Sequence, residues 1–266
     1  MEPKTGARFT AFDIIVLVLI LVIAAGLVVT GVFKVNDASD RISCANNLEQ
    51  MGLALLNYHD TAGRFPAGTM ANAGLPPEQR LSWLVAILPY VESSPLYSRI
   101  DTAKCWDSAA NRAVITPPYK VYLCPNSPRG AASGAPAVTT YVGSAGVGGN
   151  AALLPASDLR AGVFGYDREV RRASIKDGPE KTLAVIETAL DNGPWATGGP
   201  ATVRGLDPDR EPYLGRGQQF GGQHLGVTNA LFADGSVHGL SNGLDAHLLK
   251  ALATIRGGED LTGEDY

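Results

Sequence analysis

The chain has 266 residues, is 45% hydrophobic and carries a net charge of −4, with 22 Lys and Arg against 26 Asp and Glu. That apolar content supports a packed core and suits one large domain or two small ones. With no basic excess to cover a phosphate backbone, nucleic acid is excluded as an expected partner.

Residues 1–13 form a short N-terminal segment. From Ile14 to Phe33 twenty residues carry no charge and are rich in Ile, Leu and Val. A helix of that length spans roughly 30 Å, the hydrocarbon thickness of a bilayer. A buried core helix would show a polar stripe, and none is present. A cleaved signal peptide would end near Ala24-Ala25-Gly26, yet the apolar run continues through Val28, Val29, Val32 and Phe33. The segment reads as a retained membrane helix over 14–33. Lys4 and Arg8 precede it while Lys34 and Arg41 follow, so charge sets its orientation only weakly.

Past the apolar run, Ile42, Leu48, Met51, Leu55 and Tyr58 recur near helical spacing, predicting an amphipathic continuation over 34–62. Asp37, Ser39 and Asp40 offer caps if the helix restarts there. Gly63 supplies a stop and Pro66 prevents continuation. From residue 63 to 266 the pattern changes to short apolar runs between Gly- and Pro-rich turns. Val121-Tyr122-Leu123, Thr139-Thr140-Tyr141-Val142 and Thr182 to Ile186 read as antiparallel strands. Leu81 to Tyr90 reads as a short helix ended at Pro89, and Leu244 to Ile255 as a C-terminal helix. The class is α+β.

Several segments resemble a known family. Prepilins carry a Gly, then Phe-Thr-x-x-Glu and an apolar stretch; this chain has Arg8-Phe9-Thr10-Ala11-Phe12-Asp13 before its own apolar run. The stretch from Arg41 to Leu55, continuing Asn57-Tyr58-His59-Asp60 to Gly63-Arg64-Phe65-Pro66, resembles domain-of-unknown-function family 1559, a prepilin-like family of planctomycete bacteria. Ser82-Trp83, Leu88-Pro89-Tyr90, Leu123-Cys124-Pro125, Asp177-Gly178, Glu187, and His224 with Asp234-Gly235 follow in the same order. The resemblance implies a pilin-like fold, with a long transmembrane and then amphipathic helix packed on an antiparallel β-sheet body. It implies an inner-membrane, single-pass protein with an extracytoplasmic C-terminal domain, akin to subunits of type II secretion or type IV pilus systems. The implied partners are the lipid bilayer and other pilin-like subunits, or further copies of the chain, through the N-terminal helix. Arg8 stands where a processed prepilin has Gly, and Asp13 where it has Glu. Without a freed amine on Phe9, Asp13 must reach water, Lys4 or Arg8. A fixed anchor fits better than a fibre subunit.

The chain has three cysteines, Cys44, Cys105 and Cys124. An exported body sits in an oxidising space. Cys44 and Cys124 occupy the two family-like positions, which implies a bridge between them; Cys105–Cys124 is the alternative.

The run Asn229 to Leu240 places two apolar stretches around Asp234-Gly235 and reads as a hairpin with a tight turn. A metal site is the competing reading there, because His224, Asp234, His238 and His247 lie within 24 residues. His59 with Asp60 reads as capping and packing rather than acid–base chemistry. Gly143 to Gly149 does not open a helix after a strand, so it reads as a loop or sheet edge rather than a phosphate cradle. Ser144 lacks a nucleophile-elbow context. Asp207, Asp209 and Glu211 could hold calcium but read as a solvated loop. No cofactor and no enzymatic activity are expected. The function expected is that of a structural or assembly protein of the cell envelope. A membrane-tethered binding module using exposed Trp195 and Tyr213, and a metal-dependent hydrolase using His224, Asp234 and His238, are the alternatives.

Overall fold

The computed structural model describes residues 10–91, 94–127 and 135–259. Arg8 and Phe9 of the prepilin-like opening lie outside them. Helix α1, Ala11–Ala62, is unbroken, so no restart occurs at Asp37 to Asp40. The chain divides into two compact units, 1–39 and 40–266.

In the first unit, α1 opens with a reciprocal cap. The Asp13 carboxylate accepts the Thr10 backbone N–H at 2.8 Å and the Thr10 hydroxyl at 2.7 Å. The Thr10 hydroxyl in turn accepts the Asp13 N–H at 3.3 Å. This is a capping box, with Asp13 three residues into the helix. Every residue from Ala11 to Leu27 is exposed, on all sides of the helix. Among the described residues, no helix is long and apolar enough to cross a membrane. Of the span expected over 14–33, side chains are described only as far as Leu27.

In the second unit, α1 is amphipathic. Cys44, Leu48, Met51 and Leu55 are buried at successive steps of four, three and four residues, whereas Ile42 is 60% exposed and lies outside the stripe. Gly63, with φ of 73°, ends the helix in the left-handed conformation, its N–H donating to the His59 carbonyl at 2.7 Å.

Five strands form one sheet: β1 (Tyr141–Val147), β2 (Leu183–Glu187), β3 (Val203–Leu206), β4 (Val227–Phe232) and β5 (Val237–Ser241). Their order is β3-β1-β2-β4-β5. The sheet is mixed rather than antiparallel as expected, because β3 pairs with β1 in parallel while β1–β2, β2–β4 and β4–β5 are antiparallel. The long connection from β2 lets the short edge strand β3 return in the direction of β1. Alternate residues separate two cores: Tyr141, Val185 and Leu231 join the cluster of Leu48 and Met51, whereas Val142, Ile186 and Phe232 join that of helix α5 (Ala246–Leu252).

Helix α2 (Trp83–Ala86) is only four residues long and gives way to a 3₁₀ turn, Leu88–Tyr90, that contains Pro89. Residues 121–123 are not a strand. Lys120–Tyr122 forms a 3₁₀ turn between Pro117-Pro118 and Cys124-Pro125, pinned by the buried Tyr122 hydroxyl donating to the Leu84 carbonyl at 2.8 Å. Helices α3 (Ser94–Tyr97) and α4 (Ala109–Ile115) complete this side. The Gly143 to Gly149 segment is mostly strand β1, inside the sheet rather than a loop or edge. Glycine is required there for space. A Cβ on Gly143 would stand 2.7 Å from the Phe164 ring, and one on Gly146 would meet the crossing backbone at Arg160.

Candidate functional site

Four side chains with metal- or proton-binding chemistry converge in the second unit. Cys44 comes from α1 and Cys124 from the turn after Lys120–Tyr122; Glu187 ends β2, and His224 lies in the segment before β4. All four are buried, with ligating atoms within 4.8 Å of one another. Cys44 and Cys124 are joined as a disulfide with Cα atoms 5.3 Å apart. His224 Nε2 stands 3.2 Å from Cys44 Sγ, 3.4 Å from Cys124 Sγ and 3.8 Å from Glu187 Oε1.

The surroundings hold these groups in place. Glu187 Oε2 accepts the Asn229 backbone N–H at 2.8 Å, and Oε1 accepts the Asn229 amide at 3.1 Å. Burial pushes the Glu187 carboxyl above the usual carboxylate range; the Asn229 donors and the His224 imidazole oppose that rise. The Cys124 N–H donates to the Thr140 hydroxyl at 2.7 Å. The Asn47 amide, one turn along α1 from Cys44, donates to the Leu123 carbonyl at 3.2 Å, tying the cysteine turn to the helix. A narrow cleft lined by Cys124, Thr140, Glu187, Thr188 and Gly222 reaches the cluster.

The metal reading of the hairpin does not hold. His224 is buried among the cysteines, and among the described residues no ligand group includes Asp234, His238 or His247. Asp234 Oδ1 accepts the Ser236 N–H at 2.8 Å and its hydroxyl at 2.6 Å, which shapes the turn. Of that pair only Gly235 takes a positive φ, 95°. His238 is exposed, stacks edge-on against Phe232 and lies 3.1 Å from the Ser236 hydroxyl. His247 is exposed on the first turn of α5.

The other candidates have structural partners. His59 packs on Phe65 with ring centres 5.0 Å apart, and its Nε2 accepts the Arg172 N–H at 3.3 Å. Asp60 lies 3.7 Å from His59 Nδ1. Ser144 is buried within β1. Asp207 accepts the Asp209 N–H at 3.2 Å, while Glu211 accepts from Lys250 at 2.6 Å and from the Tyr213 hydroxyl at 3.0 Å. Trp195 and Tyr213 are 1% and 2% exposed, so neither offers the binding surface expected of it. Cys105 is a free thiol whose acidity is reduced by the neighbouring Asp107 carboxylate and by burial.

Sequence reasoning assigned no role to Glu187 or Asn229. The signal was a carboxylate ending the aliphatic run Leu183-Ala184-Val185-Ile186, where a charge needs a partner.

Fold and site define a class: an α+β body in which a long helix packs on a mixed sheet and is stapled to a neighbouring turn beside a buried carboxylate–imidazole pair. The family described as a protein of unknown function, DUF1559, matches residues 37–205, more than half of the chain, and the chain belongs to it. The matched stretch holds Cys44, Cys124 and Glu187, whereas Arg8 to Asp13, His224 and Asp234-Gly235 lie outside it. No curated protein and no solved structure matches the chain.

Proposed function

We propose that the chain is a membrane-anchored, pilin-like structural or assembly protein of the bacterial cell envelope, with residues 63–266 on the extracytoplasmic side. One observation carries this reading: Ile14 to Ile23, all aliphatic, are all exposed. Large aliphatic side chains left in water forgo about 1.5–3 kcal/mol each. A helix that is apolar all round needs apolar surroundings on every side, which a bilayer or a bundle of like helices supplies and a single groove does not. The sequence continues the run to Phe33, enough for roughly 30 Å of hydrocarbon. The amphipathic half from Cys44 to Leu55 then carries the body on its buried stripe.

The Thr10–Asp13 cap bears on assembly. It commits the Asp13 carboxylate to the N-terminus of its own helix, which suits an anchor more than pairing with a neighbouring subunit's amine. In bacterial membranes the full chain should resist alkaline carbonate extraction, and Ile20→Asp should release it to the soluble fraction; a wild-type chain that is already soluble ends the reading. Cysteine crosslinking along residues 14–27 should trap chain-to-chain contacts, and a strictly monomeric chain in membranes removes the assembly half. N-terminal sequencing should find the residues before Phe9 still attached, whereas Phe9 as first residue replaces the fixed anchor with a processed subunit.

A further inference from the structure

We propose that, when its disulfide is reduced, the chain binds one zinc-class divalent cation through Cys44, Cys124, Glu187 and His224. The donor set is two thiolates, one imidazole and one carboxylate, which suits a borderline-soft cation such as Zn²⁺. The positions suit it too. Zinc bonds of about 2.0–2.3 Å place tetrahedral ligands about 3.3–3.8 Å apart. His224 Nε2 already lies 3.2, 3.4 and 3.8 Å from the two sulfurs and Glu187 Oε1. All four donor atoms lie within 4.8 Å of one another, so once the disulfide is opened the two sulfurs must move apart and the Glu187 carboxylate must close on them by about an ångström at most.

The environment is that of a supported ligand set. The Asn229 amide holds Glu187 Oε1 and leaves a lone pair on that oxygen. Such outer partners orient first ligands and strengthen metal binding. Burial makes an anionic Glu187 expensive, and a divalent cation would compensate it. A small cleft borders the donor set at Cys124 and Glu187.

The chemistry balances with a dithiol as reductant. It passes two electrons and two protons to the Cys44–Cys124 bond, leaving two thiols, and closes to its own disulfide. The cation then displaces both thiol protons to solvent. Disulfide and cation are therefore alternative staples between α1 and the turn at Cys124.

The test uses the full chain in detergent micelles, metal-free, in oxidised and dithiol-reduced forms, with zinc and cobalt(II) salts alone as probes. The reduced chain should take up one equivalent of zinc and the oxidised chain none. Cobalt(II) should develop a thiolate charge-transfer band with the intense visible bands of a tetrahedral site. Zinc should shield Cys44 and Cys124, but not Cys105, from alkylation mapped by mass spectrometry. Glu187→Gln and His224→Gln should weaken uptake about a hundredfold, and Asn229→Ala by about 10–100-fold. Circular dichroism and thermal melting establish that each variant is folded; where a Gln variant is unfolded, Glu187→Asp and His224→Asn take its place, and the wild-type alkylation map reports the two cysteine ligands independently. The proposal is overturned if the folded reduced chain takes up no zinc, if the oxidised chain binds it equally, if folded Gln variants bind like wild type, or if the reduced chain loses its fold even with zinc present.

Discussion

Arg168 illustrates how much of this fold one buried side chain can organise. Only 7% exposed, its guanidinium donates to the carbonyls of Ala151 at 3.1 Å and Ala145 at 2.9 Å, and also to those of Leu154 and Phe164. Those carbonyls belong to β1 and the irregular chain around it; Ala145 and Ala151 also accept the backbone N–H groups of Gly162 and Leu154, so the guanidinium adds to a partial network and ties its segments together. Replacing Arg168 with Met keeps the bulk but removes the donors that four carbonyls share, so chemical denaturation should report a loss of about 1–3 kcal/mol. Arg168→Lys should recover only part of this, because one ammonium cannot span four carbonyls. Nothing near Arg168 in sequence announces the role, since its partners lie up to 23 residues away along the chain. Asp13 is the opposite case. Its cap is local, Thr10-x-x-Asp13, and is legible from spacing alone once the helix start is placed.

At the scale of elements, the decisive contact is α1 on the hairpin. A Cβ on Gly52 would stand 2.7 Å from Leu231 Cδ1 and 3.2 Å from the Gly235 carbonyl oxygen, and one on Gly235 would stand 2.7 Å from Leu56 Cδ1. The helix thus lies directly on the β4–β5 turn, and two glycines far apart in sequence make the approach possible. Gly52→Val should push helix and hairpin apart and lower stability by about 1–3 kcal/mol in denaturant titration. Gly52→Ala should cost less, because helix propensity returns part of the loss. An unchanged midpoint for Gly52→Val would refute the close approach. The period of the buried stripe from Cys44 to Leu55 was readable in sequence. The mistaken strand at residues 121–123 shows the limit: an apolar triplet between Pro-rich turns satisfies strand and 3₁₀ patterns alike, and the buried Tyr122 hydroxyl settled it.

For the whole molecule, the Cys44–Cys124 staple is the longest-range covalent link between elements. It closes a separation of 80 residues between α1 and the turn after Lys120–Tyr122. Cross-linking so long a loop restricts the unfolded chain, and its removal in Cys124→Ser should lower the stability of the oxidised protein by about 2–5 kcal/mol. Thermal melting with and without dithiol checks this: wild type should lose stability on reduction, and Cys124→Ser should show no such response.

The sequence by itself determined what is local and periodic. The uncharged run from Ile14 to Phe33, the amphipathic stripe that follows, the stop at Gly63, the turn at Asp234-Gly235 and the family resemblance all rest on neighbouring residues. Tertiary structure alone decided what depends on distant segments meeting. The parallel β1–β3 pair needs residues 143 and 203 side by side. The Gly-rich strand needs Phe164 and Arg160 against it. The Cys44, Cys124, Glu187 and His224 cluster needs four elements to converge, and a linear spacing carries no record of which buried charge will find which partner.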